Sequence, residues 1–102
     1  MAGRTLYGTL ELMYRAFKRG DAKFVQELAE TYDGLMMRRF GDFARHPIKL
    51  ALLYDTARQT IIGEPGTTLG MVSIEMRRTD IDGKMREIRK IEHGKKGKDK
   101  KF

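Results

Sequence analysis

The sequence predicts an α+β fold, and three observations support this prediction. Apolar residues recur every three or four positions through most of the first two-thirds of the chain, which is the spacing of amphipathic α-helices. The period changes to two in the segment VSIEM of residues 72–76, and the pair Asp82-Gly83, typical of a hairpin turn, follows it. We therefore expect a three-helix body at residues 4–62 and a β-hairpin at residues 69–92.

The first helix is predicted from one apolar stripe. Leu6, Leu10, Met13 and Phe17 are spaced by four, three and four positions, so they fall on the same side of an α-helix. Gly20 follows the stripe and is well placed to end the helix, because glycine adopts the left-handed conformation common at helix C-termini. We expect the stripe to face the core.

A second helix is predicted to begin at Asp21, whose carboxylate can accept hydrogen bonds from the free amides of a first helical turn. Its apolar stripe consists of Phe24, Leu28, Tyr32 and Leu35. Gly34 lies within this run at a cost of about 1 kcal/mol relative to alanine, so the helix can break there. Gly41 is expected to end it.

The third helix is predicted at residues 48–62, with Pro47 in its first turn and Gly63 at its end. Five successive residues, 50–54, read LALLY. A helix that is apolar over so much of its circumference is typical of a central position. We therefore expect it to be packed on both sides.

The hairpin prediction rests on the register that a turn at Asp82-Gly83 imposes. In that register Arg78 faces Glu87 and Glu75 faces Lys90, and opposite charges across two strands stabilise the pairing. The core face of this hairpin would carry Val72, Ile74, Met76, Met85 and Ile91.

An all-α fold with a fourth amphipathic helix is the alternative. A helical spacing of four, three and three relates Ile81, Met85, Ile88 and Ile91. Gly94 could end such a helix. Gly83 in its first turn disfavours it, so the hairpin is the preferred interpretation.

The positive charge is concentrated at the C-terminal end. The formal net charge is +7 over 102 residues. Residues 84–102 hold nine Lys or Arg and three acidic residues, whereas residues 1–83 hold twelve and eleven. We expect one globular domain at residues 1–93 and a disordered, lysine-rich tail at residues 94–102, because that tail has too few apolar residues to order itself.

Enzymatic chemistry finds little support. The chain has no cysteine, its one serine is Ser73, and its two histidines, His46 and His93, have no carboxylates at metal-ligand spacing. We expect no catalytic site, no metal and no cofactor, and a protein that is not an enzyme. The sequence contains no run of about 18 apolar residues, the length that a membrane-spanning helix requires. A cytoplasmic protein without a membrane partner is therefore expected.

The basic C-terminal region predicts binding to a phosphate backbone, because each ammonium placed near a phosphate releases a condensed counterion. Such contacts would be sensitive to salt and would not read base sequence. We expect a non-enzymatic accessory protein that binds nucleic acid, DNA or RNA, or a nucleoprotein assembly. The candidate nucleic-acid-binding residues are Arg77, Arg78, Lys84, Arg86, Arg89, Lys90, Lys95, Lys96, Lys98, Lys100 and Lys101.

The alternative function is that of a small protein-interaction or assembly subunit, or a regulator, whose tail is solubilising or docks on an acidic protein. The candidate interface residues are Tyr7, Tyr14, Met36 and Met37. A homo-oligomer is also expected, because a lone hairpin leaves unpaired edges. A large exposed apolar patch on the helical body would favour this alternative, whereas a continuous cationic face would favour nucleic acid.

Overall fold

Four helices account for nearly all of the chain that the structure describes. The computed structural model describes residues 5–41, 48–63 and 74–101, and within the last range the side chains of 75–93. The helices are α1 (Leu6–Lys18), α2 (Ala22–Phe40), α3 (Ile48–Ile62) and α4 (Ile74–Lys101). No strand occurs in the described ranges, so the α+β prediction is wrong and the all-α alternative is correct.

Capping interactions and a glycine separate α1 from α2. The amide of Gly8 donates to Thr5 Oγ1 at 2.9 Å, which caps the start of α1. Gly20 follows this helix with a φ of 77°, where glycine is not strained. The amide of Phe24 donates to Asp21 Oδ1 at 3.1 Å, which confirms the predicted N-cap of α2.

α2 continues through Gly34, so the predicted break does not occur. Tyr32, two residues earlier, is fully buried. Packing of this kind outweighs the cost of about 1 kcal/mol for one glycine in a helix. The helix ends before Gly41, as predicted, and the Gly41 amide donates to the Met37 carbonyl at 2.9 Å.

α3 packs on α1, α2 and α4, as its long apolar run predicts, but the side that carries Ile48 and Leu52 stays exposed. Tyr54 is fully buried, whereas Ile48 and Leu52, on the opposite side of the helix, are 63% and 57% exposed. Gly63 ends α3 with a φ of 68°, as predicted. Pro47, predicted in the first turn, lies outside the described residues.

α4 occupies most of the region predicted to form the hairpin, and it runs through the Asp82-Gly83 pair without interruption. Ile81 and Ile88 are 0% exposed and Met85 is 9% exposed. The helical stripe is therefore the core face, and α4 packs mainly on α3. Burial of this stripe stabilises the helix by more than the short-range turn signal favours a hairpin.

The predicted cross-strand pairs, Arg78 with Glu87 and Glu75 with Lys90, do not form, and other ion pairs form along the helix instead. Arg78 Nη1 lies 3.7 Å from Glu75 Oε2, three residues away, and Lys84 Nζ lies 2.7 Å from Asp80 Oδ1, four residues away. Met76, expected in the hairpin core, is 63% exposed. These contacts replace the predicted cross-strand register.

The backbone of α4 continues to Lys101, over most of the segment for which the sequence predicts disorder. At 1.5 Å per residue, its 28 residues extend for about 42 Å. The division into a globular domain at residues 1–93 and a tail at residues 94–102 stays a prediction. Residues 69–73 of the predicted hairpin lie outside the described residues.

Four side chains and one backbone carbonyl connect α2, α3 and α4. Tyr32 and Tyr54 are both fully buried, and the Tyr32 hydroxyl donates to the Tyr54 carbonyl at 2.6 Å. The Tyr54 hydroxyl donates to Glu92 Oε2 at 3.1 Å, and Arg39 donates to the other oxygen of the same carboxylate. Burial raises the pKa of both tyrosines, so they stay neutral in the core.

Replacing Gly83 by alanine is expected to raise the free energy of unfolding by about 1 kcal/mol. Gly83 lies inside α4, and a Cβ added there meets no atom within 4 Å. Alanine therefore restricts the unfolded chain without a clash in the folded one. Urea denaturation followed by circular dichroism measures the change.

Gly63→Ala provides a control of opposite sign. Gly63 has a φ of 68°, and an added Cβ would lie 3.2 Å from Arg77 Nη2. This variant is expected to be less stable than the wild type, because alanine is strained in the left-handed region. A loss of stability in Gly83→Ala as well would contradict the helix and favour the hairpin turn.

Candidate functional site

Arg77, a predicted phosphate ligand, is used to hold α3. Its Nη2 donates to the carbonyls of Thr60 and Ile61 at 2.9 and 2.8 Å, and its Nε donates to the Thr60 carbonyl at 3.1 Å. Its guanidinium also lies 5.0 Å from the ring centroid of Phe17. These carbonyls are at the end of α3, where no further helical turn can satisfy them. Arg77 therefore has a structural role.

Arg78 and Lys84 are also engaged within the chain. Arg78 Nη2 donates to the carbonyl of Lys18, at the end of α1, at 3.0 Å. Lys84 donates to both carboxylate oxygens of Asp80, at 2.7 and 2.8 Å. Three of the predicted nucleic-acid-binding residues thus stabilise the fold.

The outer side of α4 carries the remaining described cations. We call Arg86, Arg89 and Lys90 the basic face. Arg86 and Lys90 are exposed and have no ion-pair partner among the described residues. Arg89 Nη2 donates to the Tyr7 hydroxyl at 3.1 Å, and Glu87 lies 3.3 Å from Lys49 Nζ. The acidic residue nearest to the face along the helix is thus paired with a cation of α3.

The basic face lies along a depression of about 770 Å³. Gly83, Glu87 and His93, also on α4, line this depression as well. The 3.6-residue repeat of α4 brings positions 96, 100 and 101 to the same side of the helix as the basic face. Lysines occupy all three positions.

The two predicted interface tyrosines contact α4 and are not free for a partner. Tyr14 is 7% exposed, and its hydroxyl donates to the Arg78 carbonyl at 3.3 Å. Burial, with a contribution from the nearby Asp82 carboxylate, raises the pKa of Tyr14 to about 12. Tyr7 is half-buried and holds Arg89.

The two predicted interface methionines lie at an apolar groove between α2 and α3. We call it the α2–α3 groove, and it has a volume of about 640 Å³. Its lining consists of Met36, Met37, Phe40, Gly41, Ile48, Ala51, Leu52 and Asp55. Three of the four exposed large hydrophobic side chains among the described residues belong to it, namely Met37 at 74%, Ile48 at 63% and Leu52 at 57%.

The floor of the groove is part of the core. Phe40 and Ala51 are 3% and 8% exposed, and the ring of Phe40 packs at 6.0 Å from that of Tyr54, centroid to centroid. The walls of the groove are therefore mounted on a buried base. The sequence alone does not identify Ile48 and Leu52 as interface residues, because apolar side chains predict burial. Their position opposite Tyr54 on the helix was the available signal.

One acidic side chain, that of Asp55, lines the groove, and two more lie further along α2 on the side of Met37. Asp55 lines the groove and accepts from Gln59 Nε2, a neutral donor, at 2.9 Å. Asp33 and Glu30 precede Met37 by four and seven positions on α2, so they share its side of the helix. We call Glu30, Asp33 and Asp55 the acidic border.

Arg58 is the cation that contacts this border. Its Nε lies 2.6 Å from Asp33 Oδ1. No ion pair involves Glu30 or Asp55 within the part of the chain that the structure describes. Two carboxylates near the apolar groove therefore have no cation partner among the described residues.

No protein-family model, curated protein or solved structure matches this chain. None of the helices, over their described residues, combines the length and the apolar content that a membrane crossing requires. Within the same residues, no three His, Asp or Glu side chains are grouped so that they could hold a metal ion. The candidate sites are thus the α2–α3 groove and the basic face.

Proposed function

We propose that this protein is an interaction or assembly protein that docks an apolar segment of another protein in the α2–α3 groove. The observation that carries the proposal is the grouping of Met37, Ile48 and Leu52, all more than half exposed, around one groove. Grouped exposed apolar side chains are costly in water, and they commonly mark interaction sites. Catalysis is no part of this proposal.

The form of the groove favours a helical segment as its occupant. Two neighbouring helices form its walls, and an amphipathic helix can fill such a groove with apolar anchors at positions i, i+3, i+4 and i+7. Met36 and Met37 suit this role, because the flexible methionine side chain adapts to different apolar surfaces. An occupant with a periodic apolar stripe is therefore proposed.

The test uses a neutral model peptide of about 18 residues, with leucines on one side of the helix and glutamines elsewhere. Fluorescence anisotropy with the full chain is expected to show binding, and the double variant Met37→Gln, Leu52→Gln is expected to bind about tenfold or more weakly. Both side chains are exposed, so the variant should unfold within about 1 kcal/mol of the wild type.

Arg86→Gln is the matched control, because it introduces the same residue on the exposed side of another helix. Its peptide affinity should equal that of the wild type. Equal binding by the wild type and the double variant, or no binding at all, would contradict docking in the groove.

Binding of a nucleic-acid backbone is the second candidate function, and one observation favours it. Arg86 and Lys90 are exposed side by side on α4 without an ion-pair partner among the described residues. Lysines at positions 96, 100 and 101 follow in helical register. A row of cations along one side of a helix can neutralise successive phosphates.

A cytoplasmic location and self-association also stay proposals. The unpaired hairpin edges that suggested a homo-oligomer do not exist, because residues 74–92 are helical. The α2–α3 groove is the apolar surface on which a contact between copies would now depend. Light scattering of the full chain and of Met37→Gln, Leu52→Gln tests this.

A further inference from the structure

We infer that the segment docked in the α2–α3 groove is a basic amphipathic helix of a different protein. This inference rests on the proposed function and adds the chemistry of the partner. The decisive feature is the acidic border beside the apolar walls of the groove. Lys or Arg residues that flank the apolar stripe of the partner would lie next to this border.

The local charge at the groove is opposite to that of the whole chain. The chain has a net charge of +7, yet among the described residues the acidic border holds three carboxylates against the guanidinium of Arg58, which is paired with Asp33, and that of Arg38 near Gly34. Asp55 lines the groove itself, and its described hydrogen-bond donor, Gln59, is neutral. A cation placed here gains attraction from Asp55 and Glu30 without displacing an existing ion pair.

Cations near the other end of the groove do not reverse this charge. Arg39 is paired with Glu92, and Lys49 is paired with Glu87. Arg38 is exposed, and its side chain runs back along α2 with Nε 3.5 Å from the Gly34 carbonyl, so this guanidinium lies toward Asp33 and does not line the groove. Positive charge beside the partner's apolar stripe is thus best accommodated at the Asp55 end.

A second copy of this chain does not provide such a helix among its described parts. The apolar stripe of α4, the most basic helix, is Ile81, Met85 and Ile88, and these side chains are at most 9% exposed in the protein's own core. α1 likewise buries Leu10 and Met13 completely. Offering either stripe to another copy would require the donor to unfold.

The experiment compares three peptides that share one leucine pattern and carry glutamine, lysine or glutamate at the positions flanking it. With the full chain, the lysine peptide is expected to bind about tenfold more tightly than the glutamate peptide at low salt, with the glutamine peptide between them. The difference should shrink at about 0.5 M salt because the charges are screened. Non-specific attraction to a protein of charge +7 predicts the reverse order.

The double variant Glu30→Gln, Asp55→Asn tests whether the acidic border causes the preference for the lysine peptide. It should weaken the lysine peptide about three- to tenfold and leave the glutamine peptide unchanged. Glu27→Gln is the matched control, because Glu27 is an exposed carboxylate ten positions before Met37 and on a different side of α2, and it should change neither affinity.

The outcomes separate this inference from the proposed function. If the glutamine peptide binds in the groove but the lysine peptide binds no better than the glutamate peptide, the inference fails and the proposed function stands. If no peptide depends on Met37 and Leu52, both fail. A dimer that Met37→Gln, Leu52→Gln dissociates would overturn the inference in favour of a second copy as the occupant.

Discussion

Replacing Ile88 by alanine is expected to lower the free energy of unfolding by about 2–5 kcal/mol, the range for large-to-small substitutions in a core. Ile88 is 0% exposed and lies between Met85 and Ile91 on the apolar stripe of α4. Truncation would remove apolar contacts and leave a cavity in that stripe, because neighbouring side chains refill such a space only in part. Urea denaturation of the full chain measures the loss.

The same substitution distinguishes the observed helix from the hairpin. The core face of the hairpin would include Met85 and Ile91 but not Ile88, whose truncation would then cost little. Arg86→Ala, two residues away and exposed, is the control and should change the unfolding free energy by less than about 0.5 kcal/mol. Equal effects of the two substitutions would contradict the buried position of Ile88.

The second large effect concerns nucleic acid. Replacing the five tail lysines by glutamine in the full chain is expected to flatten the dependence of duplex-DNA affinity on salt. If each lysine neutralises one phosphate, the slope of log K against log salt falls in magnitude by roughly 4.5. The substituted residues are Lys95, Lys96, Lys98, Lys100 and Lys101. Fluorescence anisotropy across a salt series measures this slope for duplex DNA, single-stranded DNA and RNA.

A pair of matched variants tests the basic face itself. The double variant Arg86→Gln, Lys90→Gln should reduce the magnitude of the slope by roughly 1.8, because two phosphate contacts are lost. Arg15→Gln, Lys23→Gln removes the same charge from exposed positions of α1 and α2, and it should leave the slope unchanged. Equal slopes for the two variants would indicate general charge attraction, and no binding near physiological salt would contradict this function.

Several features of the fold follow from signals only a few residues long. Asp21 caps α2, and Gly20 and Gly63 adopt positive φ where the sequence predicts helix ends. These interactions join groups within one helical turn, so residue type and spacing suffice to predict them. The apolar stripe of α1 is predictable for the same reason.

Residues 80–92 were ambiguous because two local signals conflict there. Asp82-Gly83 favours a turn, whereas Ile81, Met85 and Ile88 have helical spacing. Neither local signal contains information about the surface against which the segment packs. The surface of α3 supplies that information, because it covers the helical stripe.

The candidate interface residues also show which features the sequence predicts and which depend on tertiary packing. Met36 and Met37 were predicted as interface residues, and the structure places them at the groove. Tyr14 is predicted as an interface residue for the same reason, its side-chain type, but it is buried against α4. Residue type alone does not distinguish an exposed apolar side chain from a buried one, because burial depends on which helix covers it.

By itself the sequence determined three helices, most of their ends and an excess of positive charge near the C-terminus. Only the tertiary structure decided that residues 74–101 are helical, that Arg77 and Arg78 bind carbonyls 17 and 60 residues earlier, and that α2 and α3 leave a groove. The physical reason is the distance along the chain over which each interaction acts. Caps and periodicity act within a helical turn, whereas burial and charge pairing depend on surfaces that meet only when the helices pack.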